Sequence, residues 1–220
     1  MKYKHAGGVQ RSWTDIVVYE VSTPRAMTTR RHLLIRAAAL ATFAAVRASA
    51  NEPAKEPELS PEGLITEPWF LQSFLDLADD LNSAHKEGKR YAIMWELRGC
   101  PYCRETHLVN FAQPRIANYI KANFEVLQLN TIGDRKVKDF DGTELSEKAL
   151  AAKYGIRFTP TFQFFPESPA GLNDLVPAKR EVARAPGYLR PDDFLAFFRF
   201  VREKGYEKGS FRDFLKAQSG

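Results

Sequence analysis

Sulfur and imidazole are scarce in this chain of 220 residues, which carries two cysteines, three methionines and four histidines. Two cysteines cannot form the multi-bridge framework that staples small disulfide-rich domains. They are Cys100 and Cys103, so a bond between them would close a loop of a few residues and remove little entropy from the unfolded chain. A structural zinc site needs two further ligands, and past residue 50 only His85 and His107 remain as histidine donors, far from each other in sequence. Covalent haem attachment requires histidine immediately after the second cysteine, and position 104 is arginine. The calcium-loop spacing of acids is missing around Asp141-Gly142, and no internal repeat or long low-complexity tract is present. Both cysteines therefore point to chemistry rather than to stapling, and no metal and no other cofactor is expected.

A basic domain is also missing, although the formal net charge is +5. Residues 1 to 50 hold eight of the 32 Lys and Arg and two of the 27 acids, which leaves 24 basic against 25 acidic residues in 51 to 220. With no basic stripe on the remainder, a nucleic-acid partner is not expected.

The basic N-terminal region has the three parts of a secretory signal between Met27 and Ala50: a charged start, an apolar middle from Leu33 to Val46, and a small-residue end at Ala48-Ser49-Ala50. The apolar run is too short to span a bilayer. Arg30-Arg31 resembles the pair of a twin-arginine export signal, and Arg36 within the apolar part suits that type. Residues 1 to 26 make an unusually long extension for such a signal, so Met27 is a candidate start. Asn51 to Gly63 reads as a Pro/Glu-rich linker after a cut at Ala50, and 64 to 220 as one α/β domain. The expected location is the periplasm.

Within that domain the pattern alternates. Helical spacing of Phe70, Leu71, Phe74, Leu75 and Leu81 predicts a helix over about 68 to 86, and Tyr91 to Trp95 reads as a strand buried on both faces. Pro101 fits the first turn of a helix that runs to Phe111 and is broken at Pro114. A second helical piece ends near Asn123, and Phe124 to Leu129 reads as a strand. Asp141-Gly142 marks a hairpin, Ser146 to Tyr154 a helix, Thr159 to Phe165 a strand with proline at its mouth, and Lys179 to Ala185 its partner. A last amphipathic helix carries Phe194, Phe197, Phe198 and Val201 on one face.

The order strand, Cys100-Pro101-Tyr102-Cys103 opening a helix, and about sixty residues later Tyr154-Gly-Ile-Arg-Phe-Thr-Pro-Thr161, resembles the thioredoxin fold. Gly99 ahead of the cysteines, the Phe111-Ala-Gln-Pro114 break, the hairpin insertion and the tail Tyr206 to Phe211 are similar to SoxW-type periplasmic thioredoxins of sulfur-oxidation clusters. The resemblance implies a central mixed β-sheet flanked by helices, with a C-terminal helical extension. It implies a redox-active disulfide with Cys100 as the attacking and Cys103 as the resolving cysteine, and Pro160 as a cis-proline facing them. Implied partners are protein disulfide substrates and a membrane thiol transporter as electron donor, with the chain itself a monomer. A reductant is expected, and the resemblance implies a role in sulfur oxidation or cytochrome maturation; a DsbA-like oxidase and a non-enzymatic binding or metal-chaperone module are the alternatives.

Physical reasoning from the residues supports the same roles. A cysteine at a helix N-terminus faces unpaired N–H groups and the positive dipole end, which favours thiolate, and Cys103 follows one turn later on the same face. A cis bond before Pro160 would present the Thr159 backbone to an extended substrate. Glu96, at the strand end, is placed to relay a proton, or else is a solvated rim carboxylate. Trp95 and Tyr102 are candidate rim aromatics that with Pro101 and Thr159 would meet substrate, Trp95 having core as its alternative; Arg98 and His107 are expected on the surface. The chain departs from the family pattern where Met94 replaces the familiar aspartate and Gly99 the tryptophan. Exported protein should begin at Asn51 on N-terminal sequencing, and Arg30→Lys with Arg31→Lys should block the twin-arginine route; intact chain recovered from the cytosol with residues 33 to 50 still attached would contradict this.

Overall fold

A computed structural model describes residues 57–218, so the expected signal, the segment before it and the start of the linker lie outside the described residues. Residues 57–63 already belong to the folded body: Leu59 bridges Ile65, and the Ser60 carbonyl accepts from the Gly63 N–H at 2.8 Å.

Four strands form the main sheet. β1 (Arg90–Glu96) and β2 (Phe124–Asn130) run parallel, with Arg90 opposite Phe124 and Glu96 opposite Asn130. β5 (Thr161–Phe164) is antiparallel to β1, and β6 (Ala183–Pro186) is antiparallel to β5, giving the order β2-β1-β5-β6. The expected hairpin is a separate antiparallel pair, β3 (Lys136–Lys138) and β4 (Glu144–Ser146). Gly142 turns it with φ +78°, a conformation that glycine adopts without steric penalty.

Because side chains alternate across a strand, the sheet divides its apolar residues between two cores. On one face Ala92, Met94, Val126, Phe162 and Phe164 meet α3 (Pro114–Asn123) and α6 (Pro191–Arg202). On the other, Tyr91, Ile93, Trp95, Leu127 and Leu129 meet α1 (Leu77–Lys86), α4 (Glu147–Lys153) and Val137 of the hairpin. β1 is covered on both faces and paired on both edges, as its run of apolar residues predicts. Among the described residues no helix is long and apolar enough to cross a membrane.

Several boundaries differ from the sequence reading. The first helix starts at Leu77, not near 68, since Asp76 caps it by accepting from the Ala78 and Asp79 N–H groups at 3.1 and 3.2 Å, and Leu75 has φ 65°. Its apparent helical spacing arises because the chain before it weaves between cores, Phe70 entering one while Leu71 packs on the other. The segment at Lys179 opens as a helical turn, α5 (Pro177–Arg180), before the strand at Ala183. The cysteine helix begins as α2 (Pro101–Glu105) and widens into a π-helical stretch over Thr106–Phe111. Past α6, a short turn at Gly205–Glu207 leads to α7 (Phe211–Gln218), the expected C-terminal extension.

Arg90, which reads as a polar flank in sequence, is 1% exposed. Its guanidinium donates to the Phe165 carbonyl and the Tyr206 hydroxyl, each at 3.1 Å, and to the Val201 carbonyl at 3.4 Å, with Glu167 at 3.5 Å. This ties the start of β1 to the C-terminal extension.

Phe198 packs edge-on against Phe124, Phe164 and Phe194, with ring centroids 4.9, 5.1 and 5.0 Å away. Truncating such a ring removes its burial and leaves a cavity, so Phe198→Ala should lower unfolding free energy by about 3 to 5 kcal/mol in a urea titration. A loss under about 1 kcal/mol would show that this core repacks freely.

Candidate active site

The two cysteines lie where β1 gives way to α2. Gly99 makes the bend with φ +79°, which explains glycine at a position where the family places tryptophan. Cys100 caps α2: its Sγ accepts the Cys103 N–H at 3.2 Å, and Pro101 occupies the first helical turn, where no N–H is needed. Both cysteines are free thiols, Cys100 partly exposed and Cys103 buried. Burial and the hydrogen bond with Cys100 push the Cys103 thiol far above the ordinary thiol range.

The loop before β5 closes over this turn. The Thr159-Pro160 peptide is cis, Thr159 Oγ1 donates to Cys100 Sγ at 3.3 Å, and the Cys100 thiol reaches the Thr159 carbonyl at 3.4 Å. Four of the residues singled out in the sequence, Cys100, Cys103, Thr159 and Pro160, thus converge. Pro101 and Tyr102 are exposed beside them, and Tyr102 stacks on Tyr188 with centroids 6.3 Å apart. Phe158 adds a second exposed aromatic next to Thr159. The sequence reading missed it, although an aromatic flanking the strand-mouth proline is visible there.

Trp95 does not join this rim. It is completely buried, its Nε1–H donating to Gln163 Oε1 at 2.9 Å, because the pleat turns it to the face of β1 opposite Met94. Substrate contact by Trp95 is therefore corrected to a core role.

Glu96 is not a solvated rim group but 1% exposed, and His107 is not on the helix surface but 3% exposed. His107 Nε2 lies 3.1 Å from Glu96 Oε1, while its Nδ1 lies 2.9 Å from Glu67 Oε1. The Gln128 amide donates to Glu96 Oε2 and, at 2.6 Å, to the Ile65 carbonyl. The reason is packing: the imidazole lies against Phe70, from the segment before α1, and against the edge of Phe111 on its own helical stretch, with centroids 5.8 and 5.3 Å away. Burial alone would lower the His107 pKa, but the carboxylates of Glu67 and Glu96 outweigh it and hold it up at about 9. A cavity of about 300 Å³ is lined by Cys100, Cys103, Glu96, Arg98 and Arg104, with Arg98 and Arg104 exposed at its side. Among the described residues, no group of three or more His, Cys, Asp or Glu side chains could hold a metal ion.

A histidine whose pKa is raised on folding stabilises the native state while the unfolded imidazole is also protonated, and that contribution fades as pH rises through the folded value. His107→Gln should therefore destabilise by on the order of 3 kcal/mol at about pH 6, the difference shrinking by about pH 10. Urea midpoints at the two pH values check this; an equal loss at both would mean that the ring contributes packing and not charge.

The thioredoxin-like domain family matches residues 77–202, more than half of the chain. A thioredoxin-fold protein from Helicobacter pylori superposes with a TM-score of 0.50 at 18% identity, over 69% of this chain and 92% of its own. A thioredoxin from Thermus thermophilus gives 0.42 at 23% identity, over 57% of this chain and 83% of its own. The C-terminal domain of Neisseria meningitidis DsbD in the oxidised form gives 0.36 at 14%, over 56% and 89%. No curated protein matches the chain. The family match and the mixed four-stranded sheet agree with each other: the chain belongs to the thioredoxin-like domain family.

Proposed function

We propose that this protein is a thiol–disulfide oxidoreductase that reduces protein disulfides in the periplasm through Cys100 and Cys103. The observation that carries the reading is the asymmetry of the pair. Cys100 is reachable and its sulfur already receives donors from Cys103 N–H and Thr159 Oγ1, while Cys103 is shut behind it. The Cys100 thiolate attacks one sulfur of a substrate disulfide, the substrate S–S bond breaks, and the departing sulfur leaves as thiolate and takes up a proton. Cys103, once deprotonated, attacks Cys100 Sγ in the mixed disulfide. The Cys100–Cys103 bond forms, the second substrate thiolate leaves, and two electrons have passed to the substrate. A membrane thiol transporter would then return the protein to the dithiol.

Tyr102, Phe158 and the Thr159 backbone form the surface on which an extended substrate would lie, pairing main chain to main chain beside Pro160. Export rests on the segment from Met27 to Ala50, and a place in sulfur oxidation or cytochrome maturation on the resemblance to SoxW-type thioredoxins.

Cys103→Ser should accumulate mixed disulfides with its substrates and Cys100→Ser none, read by non-reducing electrophoresis and mass spectrometry. Equilibration with glutathione should place the potential nearer roughly −270 mV than roughly −120 mV, a separation of about 7 kcal/mol for two electrons. A value at the oxidising end would replace the reductant by a DsbA-like oxidase. Loss of neither cysteine altering disulfide exchange would leave a binding module instead.

A further inference from the structure

The resolving step needs a proton acceptor, because Cys103 is buried and its thiol is held protonated. Glu96 lines the same cavity as Cys103. Its two carboxylate oxygens accept one hydrogen bond each, from His107 and from Gln128. A carboxylate has about four acceptor positions, so it retains capacity for a further proton. A carboxyl group this deeply buried favours its neutral form unless a cation accompanies it, and as a neutral acid it would no longer be a base. The cation nearest at hand is His107. Its second nitrogen is fixed by Glu67, whose side chain is 20% exposed at the edge of the cluster.

We propose that His107 is a positioning residue of the resolving step: clamped between Glu67 and Glu96, its imidazolium holds Glu96 as the carboxylate that takes the Cys103 proton. The proposal rests on the oxidoreductase reading and deepens it. The Cys103 S–H proton moves to Glu96, and the Cys103 thiolate attacks Cys100 Sγ. The Cys100–Cys103 bond forms as the Cys100–substrate bond breaks. The substrate sulfur leaves with the electron pair and is protonated by water, and Glu96 returns its proton to water through the cavity. The titratable groups facing the imidazole are Glu96 from β1 and Glu67 from the segment before α1; the uncharged amide of Gln128, from β2, meets Glu96, and Cys103 of α2 and the exposed Arg98 and Arg104 line the cavity with Glu96. With its pKa held at about 9, His107 is a cation through the neutral range, as the role requires.

A chromogenic aromatic disulfide separates the two steps, since attack by Cys100 releases one coloured thiol and resolution by Cys103 releases a second. His107→Gln should leave the first release within about twofold while slowing the second by about tenfold or more at about pH 6. The deficit should shrink as pH rises, because the Cys103 proton then leaves more readily without a base. Glu67→Gln should act in the same direction and more weakly, and serves if His107→Gln folds poorly. In a Glu96→Gln background, His107→Gln should have no additional effect, because it acts through that carboxyl. An unchanged second release, or an equal slowing in the Glu96→Gln background, would overturn the proposal. An isotope-labelled carboxyl resonance, assigned by its loss in Glu96→Gln, reads the charge of Glu96 without turnover. It should be ionised in the unsubstituted protein and neutral in His107→Gln at about pH 6, within the range where an ordinary histidine titrates. Ionisation in both would also overturn it. If the unsubstituted protein released no coloured thiol at all, the oxidoreductase reading would fail, and the resonance would still decide whether His107 holds Glu96 charged.

Discussion

β1 has no side that faces water. Helices cover both of its surfaces and strands pair both of its edges, so any polar group it carries must find its partners inside the protein. It nevertheless begins with an arginine and ends with a glutamate, both 1% exposed. An unpartnered charge at either place would cost several kcal/mol, and the architecture around the strand ends answers that requirement. At the Arg90 end two backbone carbonyls, a tyrosine hydroxyl and Glu167 converge; at the Glu96 end an imidazole and an amide do. The second arrangement lies directly beneath the cysteine turn, so the same burial that stabilises the sheet defines the electrostatics of the site.

The cysteine turn uses this position asymmetrically. Cys100 is held by donors at the mouth of the helix and stays in reach of a partner, whereas Cys103 is kept as a neutral thiol by its burial. The loop carrying the cis peptide bond is part of the same unit, through the Thr159 contacts to Cys100. Two exposed aromatics, Tyr102 and Phe158, come from the two chain segments that meet there, which makes the rim a joint product of the helix start and the strand mouth.

Strands and cysteine geometry were legible in the sequence because they depend on short patterns. A run such as Tyr91 to Trp95 buries itself whichever way the sheet is built, and proline after the first cysteine suits the first turn of a helix, where no N–H is needed. Helix periodicity misled around Phe70 to Leu75, where an irregular segment alternates between two cores and imitates a 3.6-residue repeat. Trp95 and Met94 show the limit of composition: which face of a strand a residue takes decides its role, and alternation assigns that only once the cores are known. The buried histidine was not legible at all as a partner of Glu96, since its second carboxylate stands 40 residues earlier in the chain and nothing local to His107 announces it.

The contacts of Arg90 also separate two boundaries that are easily conflated. The segment shared with the family ends at Arg202, but the hydroxyl that accepts from this guanidinium belongs to Tyr206, and Phe211 and Phe214 lie against Phe197 and Phe200 in the same core. At the other margin, Glu67 and Phe70 precede residue 77 yet complete the histidine's surroundings. The homologous stretch is thus shorter than the unit that folds, and a fragment cut at its limits would lack an acceptor for a buried cation at one end and a wall of the histidine's enclosure at the other.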